Sequence, residues 1–178
     1  MFPFFKDRPI GALLWRRFHT APEGFTVLHE QPDLWSWHAV TKAERAVDSF
    51  TRLLGEMPAV VSLEISDAHA GRSWKGGGCD SAGVRGAIAP LREMLIEHAG
   101  VEITVFAADD QITLNPVLEL FLYSKTDHWT QVLLGIGLPE ERMVRTRSWK
   151  LRREGLTPAP ALSDAVARAA ESLRLEAQ

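Results

Sequence analysis

The chain of 178 residues contains a single cysteine, Cys79, and no long uninterrupted run of apolar residues. One cysteine excludes an intramolecular disulfide, and we see no secretion signal at the start, so we expect a cytoplasmic protein. Lys6, Asp7 and Arg8 interrupt the aromatic beginning of the chain, which leaves it well short of the ~18 apolar residues that a membrane span requires. We therefore predict no membrane association.

The chain also lacks a strong excess of charge of either sign. Twenty basic and 23 acidic side chains give a net charge of -3, which excludes a globally basic nucleic-acid-binding protein but leaves room for a local basic face. A length of 178 residues with 46% hydrophobic residues is enough to bury a core without disulfides or metals. We expect one globular domain over residues 1–178, with the apolar segment 1–24 packed against it.

The apolar patterns predict an α+β fold, a mostly antiparallel sheet with helices packed on one side. Period-2 or continuous apolar stretches predict strands at 25–30, 34–40, 59–66, 101–107, 114–123 and 142–151. Helical spacing predicts helices at 42–54, 84–100, 126–138 and after Ser163, which is the expected cap of the last helix. A capping box, Thr41 with Glu44, is expected to begin helix 42–54, and Pro90 is expected to kink or begin the following helix.

The two halves of the chain show the same predicted order of elements. Residues 25–100 and 101–178 each have the pattern β-β-α-β-α, and the tetrapeptide RSWK occurs once in each half, at 72–75 and 147–150. An internal duplication would relate the halves by a pseudo-two-fold axis. A single irregular domain is the alternative.

Basic residues cluster around tryptophan in the second half of the chain. If 142–151 is a strand, Arg145, Arg147 and Trp149 share one face, where a ring could stack on a base while the cations neutralise phosphates. The alternative is a charged edge strand with Trp149 packed inward. The predicted basic-aromatic surface consists of Arg142, Arg145, Arg147, Trp149, Lys150 and Arg152, together with Arg72 and Trp74 of the first RSWK copy.

Residues 66–85 are predicted to include a glycine-rich loop, in which exposed amides could attract an anion. Arg85 follows Cys79 by six positions, the spacing of cysteine phosphatases, in which a thiolate attacks an oxyanion held by an arginine. No predicted strand runs directly into Cys79, so the match is poor. In this alternative, Cys79 is the nucleophile and Arg85 and Lys75 bind an anionic substrate, whereas a surface loop with no catalytic role is the simpler interpretation.

Other motifs of known chemistry are missing from the sequence. The glycines fit neither a Walker A loop nor a dinucleotide-binding fingerprint, and the six histidines have no metal-ligand spacing, so we predict no cofactor and no metal. Asp67 and His69 are expected to form a turn. Trp35 and Trp37 should share one face of a strand, with the core as their expected place.

Together these observations favour a non-enzymatic binding or regulatory module. Its partner would be a protein, or a nucleic acid or other polyanion bound through the basic-aromatic surface. The alternative is a small cysteine-dependent enzyme acting on an anionic substrate at residues 66–85. A homo-oligomer is compatible with either function.

Overall fold

A computed structural model of the chain describes residues 23–31, 33–144, 156 and 158–178. The predicted leading segment and most of the predicted strand at 142–151 lie outside these residues. The described strands are β1 Gly24–Gln31, β2 Leu34–Val40, β3 Val60–Asp67, β4 Arg72–Asp80, β5 Val101–Phe106, β6 Asp110–Leu114, β7 Glu119–Ser124 and β8 Glu176–Ala177. The described α-helices are α1 Ala43–Leu53, α2 Ser81–Ile88, α3 Arg92–His98, α4 His128–Gly135 and α5 Pro160–Ser172.

The eight strands form one antiparallel sheet in the order β1-β2-β7-β6-β5-β3-β4-β8. Strand alternation gives the sheet one face of buried apolar side chains, which belong to the same core as the buried faces of the helices. One row of this face is Trp37, Leu122, Ile112, Val105 and Leu63. The predicted α+β fold is therefore confirmed. No helix among the described residues has the length and apolar character that crossing a lipid bilayer demands.

Helix α1 confirms the predicted helix at 42–54, and the capping box of Thr41 with Glu44 stays a prediction. The Thr41 hydroxyl donates 3.0 Å to the carbonyl of Lys42. The backbone amide of Lys42 donates a 2.7 Å hydrogen bond to a carboxylate oxygen of Glu23, which lies just before β1. A carboxylate distant in sequence thus binds a backbone amide at the start of α1.

Two further helix boundaries show how proline shapes the helical layer. Pro90 lies in a short 3₁₀ turn, Ala89–Leu91, that separates α2 from α3, as expected for a residue without an amide donor. The prediction that Ser163 caps the last helix is wrong, because α5 begins at Pro160 and the Ser163 amide already donates to the carbonyl of Ala159. Proline in the first turn needs no amide partner and so begins this helix.

The predicted glycine-rich loop is also wrong, because Arg72–Asp80 forms strand β4 and pairs with β3 along its length. Glycine has little strand propensity, so this strand is produced by pairing with β3 and not by its own composition. The register shifts between Val61 and Leu63, where β4 contains one extra residue. Gly78, with φ of 71°, adopts the left-handed backbone conformation inside this bulge.

The predicted strand 114–123 is interrupted by a turn and contributes to two strands, β6 and β7. The side chain of Asn115 accepts from the amides of Val117 (3.0 Å) and Glu119 (2.8 Å), and Leu118 has a positive φ of 62°. Asparagine followed by proline is a turn signal, and here it reverses the chain into a hairpin.

The predicted strand at 142–151 is not formed at its start. Residues 142–144 are outside any strand, and the Val144 amide donates 2.9 Å to the Thr26 hydroxyl on β1. Residues 145–151 lie outside the described part of the chain. Because β4 and the β6–β7 turn add strands, the described elements do not follow the predicted β-β-α-β-α order in either half, and the internal duplication stays a prediction.

Candidate functional site

The face of the sheet opposite the apolar core carries polar and aromatic side chains. Pairing between neighbouring strands aligns His38, Phe121, Thr113, Thr104 and Glu64 in one row across this face. The rings of Phe106, Phe121 and Tyr123 are partly exposed, whereas the side chains of the core face are buried. We call this surface the open face and define it by Glu64, Glu102, Thr104, Phe106, Gln111, Thr113, Phe121 and Tyr123.

Two adjoining depressions lie on the open face. The larger, of about 590 Å³, lies over β5, β6 and β7 and is lined by the aromatic rings. The smaller, of about 340 Å³, lies over β3, β4 and β5 and is lined in part by Lys75. Both are lined by Glu64, Glu102 and Thr104, so the two depressions form one continuous concave surface.

The charges on the open face are not balanced. Glu64 forms an ion pair with Lys75, and both side chains are partly exposed. Glu102 is half-buried beside them, and burial, followed by the negative charge of Glu64, raises the pKa of its carboxyl above the usual value. Among the described residues, Lys75 is the one cation that lines the two depressions beside these two carboxyl groups, so this part of the surface is favourable for a further cation.

Hydrogen bonds hold the floor of the larger depression in place. The hydroxyls of Thr104 and Thr113 lie 3.1 Å apart, and the Gln111 side-chain amide donates 3.2 Å to Thr113. The ring of His38 stacks on Phe121 with centroids 4.5 Å apart and planes 3° apart. This arrangement orders the polar groups and one ring before any partner binds.

The structure separates the residues of the cysteine-enzyme alternative. In a regular strand, Lys75 and Cys79 would share a face, but the extra residue in the β4 bulge reverses the alternation between them. Cys79 therefore lies opposite Val61 on the core side, only 7% exposed, and burial raises the pKa of its thiol. Lys75 points to the open face, paired with Glu64. Arg85 lies on α2, in the helical layer.

The predicted basic-aromatic surface is only partly described. Arg145, Arg147, Trp149, Lys150 and Arg152 lie outside the described residues. Arg142 is exposed beside edge strand β1. Arg72 is exposed at the start of β4, which lies six strands from β1, so β1 and β4 are about 29 Å apart across the sheet. Trp74 is 9% exposed, which leaves little of its ring accessible for stacking on a base. The two RSWK contexts do not share one surface through their described residues.

Asp67 and His69 form the turn that the sequence predicts. Asp67 Oδ1 accepts 2.9 Å from the His69 amide, and His69 Nε2 lies 2.9 Å from the Ala99 carbonyl oxygen. Within the described ranges, no group of three histidine, cysteine or acidic side chains is placed to hold a metal ion.

Sequence reasoning missed the open face. The available signal was the alternation of Phe106, Phe121 and Tyr123 with buried residues on their strands. Alternation shows that these rings face away from the core, but it does not show which strands are neighbours. Without the strand order, the rings and the carboxylates were not recognised as one surface.

Comparison of the chain with protein-family models, curated proteins and solved structures finds no match. The shape and charge of the described surface are therefore the features that indicate a function. The fold by itself indicates no activity, because one fold class hosts many unrelated functions.

Proposed function

We propose that this chain is a non-enzymatic binding module that receives a segment of a partner protein on its open face. The segment would present a basic side chain to Glu102 and Glu64. The observation that carries the proposal is the continuous concave surface in which two carboxylates and three partly exposed aromatic rings adjoin.

Glu102 supplies the first part of the proposed contact. Its pKa is raised because ionisation of the carboxyl is unfavourable, since the group is half-buried and lies close to the negative charge of Glu64. A lysine or arginine from a partner would offset both causes at once, since an opposite charge within a few ångströms favours the ionised carboxylate. This favourable interaction between opposite charges forms only in the complex, as expected of a binding surface.

The aromatic rings supply the second part of the proposed contact. Phe106, Phe121 and Tyr123 line the depression next to Glu102. Ring faces attract cations and offer apolar area, and aromatic side chains are enriched at the centres of protein interfaces. Volumes of about 590 and 340 Å³ fall within the size range of small binding pockets. They suit a few side chains of an extended segment.

The same charges oppose a polyanion on the open face, since phosphates would approach Glu64 and Glu102. A polyanion remains a prediction for the basic cluster at 142–153, of which Arg142 to Val144 are described. Titration with labelled single-stranded nucleic acid at two salt concentrations tests it. Salt-dependent binding that Arg145→Ala and Trp149→Ala both weaken would support it, and absent or salt-independent binding would exclude it.

Photo-crosslinking tests the open-face proposal. We would place a photoreactive benzoylphenylalanine at Gln111, on the open face, or as a control at Glu171, exposed on α5. After irradiation in lysate, cross-linked peptides are identified by mass spectrometry. We expect a partner peptide containing lysine or arginine at position 111 only, with a yield that Glu102→Gln and Phe121→Ala each reduce severalfold.

Other occupants of the open face give different results in the same experiment. Cross-links within one chain, for example to 1–22 or 145–155, would show that the chain covers its own open face. Cross-links between copies would indicate a homodimer. Either outcome, or a yield that Glu102→Gln leaves unchanged, overturns the proposal.

A further inference from the structure

A second concave site lies in the helical layer, on the opposite side of the sheet from the open face. It is a cleft of about 320 Å³ between α1 and the α2–α3 segment. Three arginines line it, Arg52, Arg85 and Arg92, with a single acidic residue, Asp48. The cleft thus has an excess of positive charge in a chain whose net charge is -3.

Asp48 is fully engaged with one of the three arginines. Arg92 donates to both carboxylate oxygens of Asp48, with Nε to Oδ1 at 2.6 Å and Nη2 to Oδ2 at 2.8 Å. These hydrogen bonds, with a smaller contribution from the Arg92 charge, lower the pKa of Asp48. Arg92 also donates 2.8 Å to the Glu44 carbonyl, so it links α3 to α1. Arg92 also forms an ion pair with exposed Glu93, so Asp48 and Arg92 add no net positive charge to the cleft.

The other two arginines have no such partner. Arg85 Nε is buried and makes no hydrogen bond within the described structure. Among the ion pairs of the described residues, none involves Arg52 or Arg85. A buried donor without an acceptor costs about 1–3 kcal/mol, so Arg85 is held in this position at a cost and with no acidic partner to offset its charge.

The position of Arg85 is restricted on one side. A Cβ atom added at Gly55 would lie 3.3 Å from Nη1 of Arg85, so the guanidinium rests against the backbone just after α1. Arg52 is in the last turn of α1 and lines the same cleft. Ala89 is exposed at the cleft, and Val47 lies directly beneath the cleft surface, only 1% exposed.

We infer that this cleft binds a small phosphate monoester. Arg85 and Arg52 hold the phosphate, and Ala89 contacts the organic group. Two guanidiniums without carboxylate partners match a dianion in charge, and the planar arginine fork matches phosphate oxygens in geometry. The volume, near the lower end of the range for ligand pockets, restricts the ligand to a compact molecule.

Calorimetric titration with phenyl phosphate tests this inference on the full chain. We expect saturable binding that weakens as salt is raised, because the recognised group is charged. Arg85→Gln and Arg52→Gln should each raise Kd about tenfold or more, because each removes charge-assisted hydrogen bonds. Arg85→Lys keeps the positive charge but loses the planar guanidinium with its paired donors, so its Kd should lie between those of the wild type and Arg85→Gln.

Two controls separate the site from nonspecific attraction. Arg168→Gln removes an equal charge from an exposed position on α5 and should leave Kd unchanged. Phenol, which keeps the ring but lacks the phosphate, should not bind measurably. In methyl NMR spectra of the wild type, phenyl phosphate should shift the Val47 signals, a readout that requires no variant.

Three results would each overturn the inference. The first is that phenyl phosphate shows no saturable binding up to ~10 mM. The second is that Arg85→Gln and Arg52→Gln, both folded, bind it with the Kd of the wild type. The third is that the ligand shifts NMR signals but not those of Val47. Circular dichroism establishes that each variant is folded. The site is independent of the open face, so either proposal can fail alone.

Discussion

His38 Nε2 lies 3.0 Å from Oε2 of Glu119, a carboxylate whose side chain has no exposed surface. The contact joins β2 to β7 at the end of the open face, where the ring of His38 also stacks on Phe121. The Asn115 side-chain amide reaches the same carboxylate oxygen at 3.5 Å. A buried carboxylate therefore holds the aromatic edge of the proposed binding surface in position.

Removing His38 should destabilise the fold. His38→Ala leaves the carboxylate of Glu119 buried without its imidazole partner, and breaking a buried polar pair of this kind costs about 3 kcal/mol. The free energy of unfolding, from urea titration at neutral pH, measures the loss. His128→Ala is the matched control, because His128 is 40% exposed and should cost less than ~1 kcal/mol. Equal losses in the two variants would contradict a special role for the His38–Glu119 contact.

Glu102 should make stability depend on pH. Burial, and secondly the charge of Glu64, raise its pKa in the folded state. Its contribution to stability is therefore fully present below the pKa of the unfolded state and is lost as pH rises through the folded value. Glu102→Gln, a neutral isostere, should be more stable than the wild type at neutral pH, and this advantage should vanish below about pH 4. Urea unfolding at a series of pH values measures the difference.

A second variant identifies the cause of the Glu102 shift. Glu64→Gln removes the neighbouring charge and should lower the pKa of Glu102 only in part, because burial is the larger cause. Carbon-13 NMR titration of the Glu102 carboxyl follows this directly. A complete return to the ordinary value in Glu64→Gln would show that the neighbouring charge, not burial, dominates.

The thiol of Cys79 should be unreactive in the folded protein. It is 7% exposed, and burial raises its pKa, so little thiolate forms at neutral pH. Alkylation by iodoacetamide at one pH should be at least about tenfold slower in the native protein than in urea. Rapid native alkylation, with an apparent pKa below the free value of ~8.5, would return the cysteine-enzyme alternative to consideration.

Two aspartates at the starts of helices should differ in their contributions to stability. Asp80 caps α2, with its side chain accepting 2.8 Å from the Gly83 amide, whereas Asp127 precedes α4 without a side-chain capping bond. Asp80→Ala should cost about 1 kcal/mol, and Asp127→Ala clearly less. Thermal or urea unfolding of both variants measures the difference. A larger loss for Asp127→Ala would show that the capping bond at Asp80 contributes little.

Predictions from the sequence were most successful where local patterns decide the structure. The helical spacing of Ala43, Val47 and Phe50 predicts α1, and the missing amide of Pro90 predicts the break between α2 and α3. The hydrogen bond from the Lys42 amide to Glu23 was not predicted, because Glu23 is distant in sequence. Local chemistry gave the right helix but did not identify this hydrogen bond.

The candidate site was less predictable than the fold. Glu64 lies on β3, Glu102 on β5 and Phe121 on β7. Only the order of strands in the sheet brings these residues onto one surface. The cleft arginines Arg52 and Arg85 are on α1 and α2, and neither periodicity nor spacing indicates that they share a cavity. Both sites depend on contacts between residues distant in sequence.

The sequence by itself determined the α+β class and most of the helices and strands, because these follow from periodicity over a few residues. Only the tertiary structure decided that the glycine-rich segment 72–80 is a strand, since that segment is held by pairing with β3. Its bulge then turns Cys79 into the core and leaves Lys75 with Glu64 on the open face. One extra residue reverses strand alternation, and that reversal depends on register with a neighbouring strand, which spacing along the chain does not contain.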